Sequence, residues 1–317
     1  MNNSFQPDAK CQPPPFPRRI FFGDTGLLRP IWRIVLFIFV GGAAITASSM
    51  GLNALFATVP ALGTETLRIE SSFRYLVNNT VLLLVTSLFT GVFDRRSFRT
   101  VGLWFYAGWA NEAALGVLGG VAVIAATVGG IVVVGGATYH GFASSFFVWI
   151  SGAGALALFI LLAAAFEEII FRGYAFQRLV DSIGRLGAIL VLSALFGLVH
   201  LNNPGHPTAI STANTALAGV LLAVAYLKTR GLWMPLGLHW AWNFFLGPVF
   251  GLPVSGFTDS FQPFLFQAQV TGPEWLTGST YGPEGSIILT VACIAAIVWL
   301  ARTRRISPSP AMAEVLK

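Results

Sequence analysis

Ala155-Leu156-Ala157-Leu158-Phe159-Ile160-Leu161-Leu162-Ala163-Ala164-Ala165-Phe166-Glu167-Glu168-Ile169-Ile170-Phe171-Arg172 decides the fold of this 317-residue chain. An unbroken apolar run ends on two adjacent carboxylates and an arginine. Such a run suits a buried core helix or a helix in hydrocarbon, where about 20 apolar residues reach across. The rest of the chain decides between them. It is 55% hydrophobic and only 10% charged, with a mean hydropathy of +0.72, whereas a soluble domain carries about 25% charged residues. Lipid-facing surface accounts for so few charges; one large soluble core does not.

Working outward, apolar segments recur at about 31–57, 72–93, 107–136, 144–166, 184–201, 208–228, 232–250 and 286–301. The expected fold is all-α, a polytopic membrane bundle of about eight transmembrane helices. Its parts are an N-terminal tail (1–30), a transmembrane domain (31–301) with a core at about 144–250, and a C-terminal tail (302–317). Gly116 and Gly120 in the third segment form a GxxxG, a packing signal for close helix contact. Near the chain start there is no apolar stretch of the kind a cleaved signal peptide carries, so the first segment reads as an uncleaved anchor. Cys11 lies in a polar tail and Cys293 in an apolar run, which predicts no disulfide.

Net charge is +6. The charges form short clusters between apolar runs, not one basic face, which argues against a nucleic-acid partner. Of the 19 Lys and Arg, all but Arg68 and Arg74 fall in tails and loops that an eight-span count puts on one side. The loop 251–285 on the other side carries Asp259, Glu274 and Glu284 and no Lys or Arg. Basic loops stay in the cytoplasm, so both termini are expected there, in a multi-pass cell-membrane protein. A bacterial plasma membrane is the expected location.

Ionisable residues inside such segments are costly and mark function. Glu167 and Glu168 differ by about 100° around a helix and cannot share a role. Glu168 and Arg172 stand at i and i+4 and can pair, leaving Glu167 free for general acid–base work. Phe196 and His200 share a face in the next segment, as do His239 and Asn243 two segments later. If the helices around residues 181–184 form an unbroken antiparallel hairpin, Glu167 and His200 come level, about 20–24 Å from its turn. That hairpin would project beyond the membrane, with the cluster open towards the basic face.

Glu167-Glu168-x-x-x-Arg172, Phe196-x-x-x-His200 and His239-x-x-x-Asn243, in that order, resemble the three motifs of the CPBP family, the CAAX prenyl endopeptidases and bacteriocin-processing membrane proteases. The likeness covers roughly 160–250, with no departure within the motifs. It implies an eight-span fold and hydrolysis of a peptide bond within a membrane cavity. Glu167 and His200 would activate water, His239 and Asn243 would stabilise the oxyanion, and Glu168 with Arg172 would orient Glu167. The implied partner is a membrane-associated protein or peptide, prenylated or leader-type, in the lipid bilayer. Glu167, His200 and His239 also offer a three-ligand zinc site. No H-E-x-x-H is present, and the reading leans to metal-independent glutamate chemistry.

Other residues carry plainer readings. His206 and His140 read as loop residues, Glu112 as a helix cap, and Trp233, Trp240 and Trp242 as interface or core aromatics. The competing function is a non-enzymatic membrane protein, either a proton-coupled transporter or a bacteriocin-immunity protein. The polar residues concentrate in the second half, with no inverted repeat to favour transport.

Overall fold

A computed structural model describes residues 16–23, 25–58 and 64–317. Its helices in chain order are α1 (Phe16–Phe21), α2 (Pro30–Phe56), α3 (Thr64–Leu88), α4 (Trp109–Val133), α5 (Phe146–Arg172), α6 (Tyr174–Val199), α7 (Ala209–Thr229), α8 (Trp233–Phe244), α9 (Glu274–Thr277), α10 (Ile287–Arg302) and α11 (Pro310–Val315). All eight expected apolar segments are helical. Among the described residues five stretches are long and apolar enough to cross a membrane: Pro30–Phe56, Arg68–Phe93, Trp109–Val133, Phe146–Asn202 and Ala209–Thr229. The fourth of these holds two of the expected segments, and the last two expected segments are shorter helices. Cys11 lies outside the described residues, and Cys293 is a buried thiol.

Local chemistry starts and stops these helices. Pro30 opens α2, where its missing N–H costs nothing. Ser145 and Ser286 cap α5 and α10 through their side chains, and Thr208 with Ser211 forms a capping box on α7. The ends of α3 and α8 widen into π-turns at Phe89–Phe93 and Phe245–Val249, the second around Pro248. Many large apolar side chains point outward, among them Phe39, Val133 and Phe147. A soluble monomer rarely shows so much apolar surface.

The GxxxG of α4 does what its spacing predicts. A Cβ on Gly116 would lie 2.1 Å from the Met234 carbonyl oxygen, and one on Gly120 would lie 2.4 Å from that of Leu238. Gly237 returns the contact, since a Cβ there would lie 2.3 Å from the Ala113 oxygen. The backbones of α4 and α8 therefore touch on either side of His239. Gly120→Val is expected to force the pair apart, at about 1–3 kcal/mol of overpacking. Unfolding in mixed micelles measures this, and a variant as stable as the parent would contradict the contact.

A second buried centre is polar. Asp94 receives Arg33 at 2.5 Å and Arg178 at 3.3 Å, and the Tyr174 hydroxyl at 3.2 Å. The sequence reading counted these arginines only as topology charges. They are buried, and they tie α2 and α6 to the end of α3. Glu112 also departs from expectation. It is buried and accepts a hydrogen bond from the Tyr106 hydroxyl at 2.5 Å, so it clasps a loop instead of capping a helix.

One element has no counterpart in the sequence reading. Strand β1 (Ala137–Phe142) pairs antiparallel with β2 (Phe266–Val270), a two-stranded ribbon within an otherwise helical fold. It anchors the 251–285 loop beside the start of α5.

Candidate active site

The hairpin geometry differs from the unbroken one. α5 stops at Arg172 because Gly173 turns the backbone to ψ −129, where a Cβ would lie 2.2 Å from the Ile169 carbonyl oxygen. A second break falls at Gly184, with φ 78. Between them Tyr174–Leu179 is buried under the bundle. The arm folds in against Asp94 as far as Leu179, and the turn at 181–186 is exposed. Glu167 and His200 nevertheless reach the same cavity, as the level argument required.

That cavity has a volume of about 300 Å³. Glu167, His200, His239 and Asn243 all line it. Glu168 and Arg172 do not; they lie behind it, 1% and 2% exposed. Its wall includes Ser255, Phe257 and Phe261 from the 251–285 loop, and it takes no residue from the basic-face loops. The 251–285 loop thus walls the cluster on one side.

The two glutamates are physically distinct. Glu168 accepts from Arg172 at 3.0 Å and from His239 Nδ1 at 2.8 Å. The first contact follows from the i, i+4 spacing. The second is long-range and makes Glu168 the orienting partner of His239. With Nδ1–H committed to Glu168, the His239 Nε2 faces the cavity. It lies 3.8 Å from Glu167 Oε2, an ion-pair distance beyond hydrogen-bond reach. Glu167 Oε2 is buried and has no hydrogen-bond partner. Asn243 lies one turn beyond His239.

The spacing Phe196-x-x-x-His200 also acquires a reason. His200 Nδ1 donates to the Phe196 carbonyl at 2.6 Å, since a carbonyl can only accept. This fixes the tautomer with Nε2 unprotonated in the neutral ring. The Phe196 ring stacks under the Arg172 guanidinium at 4.6 Å. It meets the rings of His200 at 4.7 Å and His239 at 6.2 Å. One aromatic therefore sets the separation of the guanidinium and both imidazoles.

Glu167, His200 and His239, the residues offered as zinc ligands, line one cavity. Among the described residues no three His, Cys, Asp or Glu side chains gather as a metal requires. His239 holds Nδ1 on Glu168 and His200 holds Nδ1 on a carbonyl, which leaves the Nε2 of each ring uncommitted.

A family model for Rce1-like proteins, type II CAAX prenyl endopeptidases, matches residues 148–245. Residues 148–245 form an Rce1-like domain. No curated protein and no solved structure matches the chain. The Rce1-like domain contains all six motif residues, and with the apolar helices around it the chain is a multi-pass membrane protein of protease type.

Several cavity residues escaped the sequence reading. Tyr75 and Ser71 come from α3, Asn214 from α7, and Ser255 and Glu284 from beyond the Rce1-like domain. Trp242, read as an interface or core aromatic, lines the cavity. Trp233 and Trp240 pack against other aromatics, the first tilted against Trp109 at 4.7 Å and the second stacked on Phe244 at 5.0 Å. Asn214 carried a usable signal, an amide in an apolar segment. Glu284 carried none, because a carboxylate just before an apolar run reads as an interface charge.

Proposed function

We propose that the chain hydrolyses an internal peptide bond of a membrane-associated protein or peptide, with Glu167 as the base. The observation that carries this reading is the convergence of Glu167, His200, His239 and Asn243 on one cavity. Glu167 takes a proton from water while the bare Nε2 of His200 holds that water. The resulting hydroxide oxygen bonds to the substrate carbonyl carbon. The oxyanion is met by the Asn243 amide and by the Nε2–H of protonated His239, fixed donors of the kind that stabilise developing charge. The proton on Glu167 then passes to the amide nitrogen, the C–N bond breaks, and an amine and a carboxylic acid leave. Glu168 balances the charge of His239, and Arg172 fixes Glu168.

Phe159, Ile160, Leu222 and Leu238 give the cavity an apolar side, which favours an apolar or lipidated segment such as a prenylated or leader-type peptide. Both termini belong on the arginine-rich face, read as cytoplasmic in a bacterial plasma membrane. The test is reconstitution with a membrane-anchored peptide and mass spectrometry of the products. Two new termini at one internal bond are expected, with turnover resistant to chelator and well under one zinc per chain. Stoichiometric zinc whose removal stops cleavage would overturn the metal-independent chemistry, and no cleavage of any anchored peptide would sink the peptidase reading.

A further inference from the structure

Glu284 lies beyond the Rce1-like domain and belongs to none of the three motifs, yet it lines the same cavity. It is 7% exposed. Of the other buried carboxylates, Asp94 and Glu168 each hold an arginine, while Glu112 takes the Tyr106 hydroxyl. Among the described residues Glu284 forms no ion pair with Arg or Lys. A buried carboxylate without a cation is costly, and burial pushes its carboxyl above the usual range, against hydrogen bonds from Ser255 and Trp242.

Its contacts are specific. One oxygen accepts from Trp242 Nε1 at 3.0 Å. The other accepts from the Ser255 hydroxyl at 2.9 Å and from the Ser255 backbone N–H. The path continues, because the Ser255 carbonyl accepts from Asn203 Nδ2 at 3.2 Å. Asn203 closes the 3-10 turn His200–Asn202. On the other side, the Glu284 carbonyl accepts from Asn214 Nδ2 at 2.9 Å. A continuous hydrogen-bonded path thus joins α8, through Glu284 and Ser255, to the turn that carries His200.

We propose that Glu284 is a positioning residue, clamping the His200 turn to α8 and so setting where His200 stands relative to His239. The inference rests on the endopeptidase reading. The indole N–H and the backbone N–H can only donate, so the group between them must accept on both sides. A carboxylate does this; a glutamine turns a donor towards one of them. The clamp acts through His200 and needs no contact with substrate.

Glu284→Gln is expected to lower kcat about 10- to 100-fold, the scale of a slightly misplaced group, with KM within about twofold. Asn203→Ala should lower kcat by less, and the double variant should be no slower than Glu284→Gln alone. In ¹⁵N-histidine spectra, His200 should pass from a single Nδ1–H tautomer in the parent to a mixture in Glu284→Gln. Wild-type kcat in the folded variant, losses that multiply, or an unchanged His200 spectrum would each overturn the clamp. Should Glu284→Gln fail to fold, Ser255→Ala and Asn203→Ala carry the same readings with Glu284 intact. A parent that cleaves nothing defeats the peptidase reading, while the spectra still test the clamp.

Discussion

Glu167→Gln is expected to lower turnover by about 10²–10⁴-fold, the usual contribution of a positioned base, with the protein still folded. The side chain of Glu167 is 33% exposed into the cavity, and its Oε2 takes no hydrogen bond. Removing its charge breaks no ion pair that the fold relies on. Glu168→Gln has a different signature. It loosens His239 and leaves Arg172 buried without a counter-charge, so stability and turnover fall together. Initial rates on a membrane-anchored substrate, with unfolding followed in parallel, separate the two. Turnover within twofold of the parent in Glu167→Gln would move the base elsewhere. Activity lost only in Glu168→Gln, at unchanged stability, would reverse the two carboxylates.

Arg172→Ala is expected to remove about 3–5 kcal/mol of stability, the scale for breaking a buried pair by deleting one partner. Arg172 is fully enclosed and does three things at once. It pairs with Glu168 at 3.0 Å, donates to the Gly219 carbonyl at 3.1 Å and covers the Phe196 ring at 4.6 Å. Alanine leaves Glu168 with a single partner, His239, and opens space beside Phe196. Lysine keeps the charge but not the planar fork, so Arg172→Lys recovers only part of the loss. Folded fraction against SDS in mixed micelles reads both variants. An Arg172→Ala protein that unfolds with the parent would show that α5 and α7 are held together by other contacts.

The membrane bundle was legible in the sequence because apolar length is a local property, readable one segment at a time. Glu168 with Arg172 was legible for the same reason, since i and i+4 share a face. The contact of Glu168 with His239 was not, because it joins helices that sequence alone does not orient. The unbroken hairpin failed at Gly173. Its ψ of −129 is a backbone choice that composition does not announce, although a glycine directly after Arg172 invited the question. Asp94 was read past because a carboxylate beside arginines in a loop looks solvated. Its burial needs the arm from Tyr174 to Leu179 to fold inward. Glu284 was hidden by distance along the chain. It reaches the cavity only after the 251–285 loop crosses back over α8.

That distance has a consequence for how the protein comes into being. A ribosome delivers the motif residues first and Glu284 and Leu289 afterwards, yet these two complete the cavity wall. A chain that stalls after Asn243 holds every motif and lacks the wall that fixes His200. On the proposed endopeptidase reading, competence would arrive only once Glu284 and the start of α10 are made.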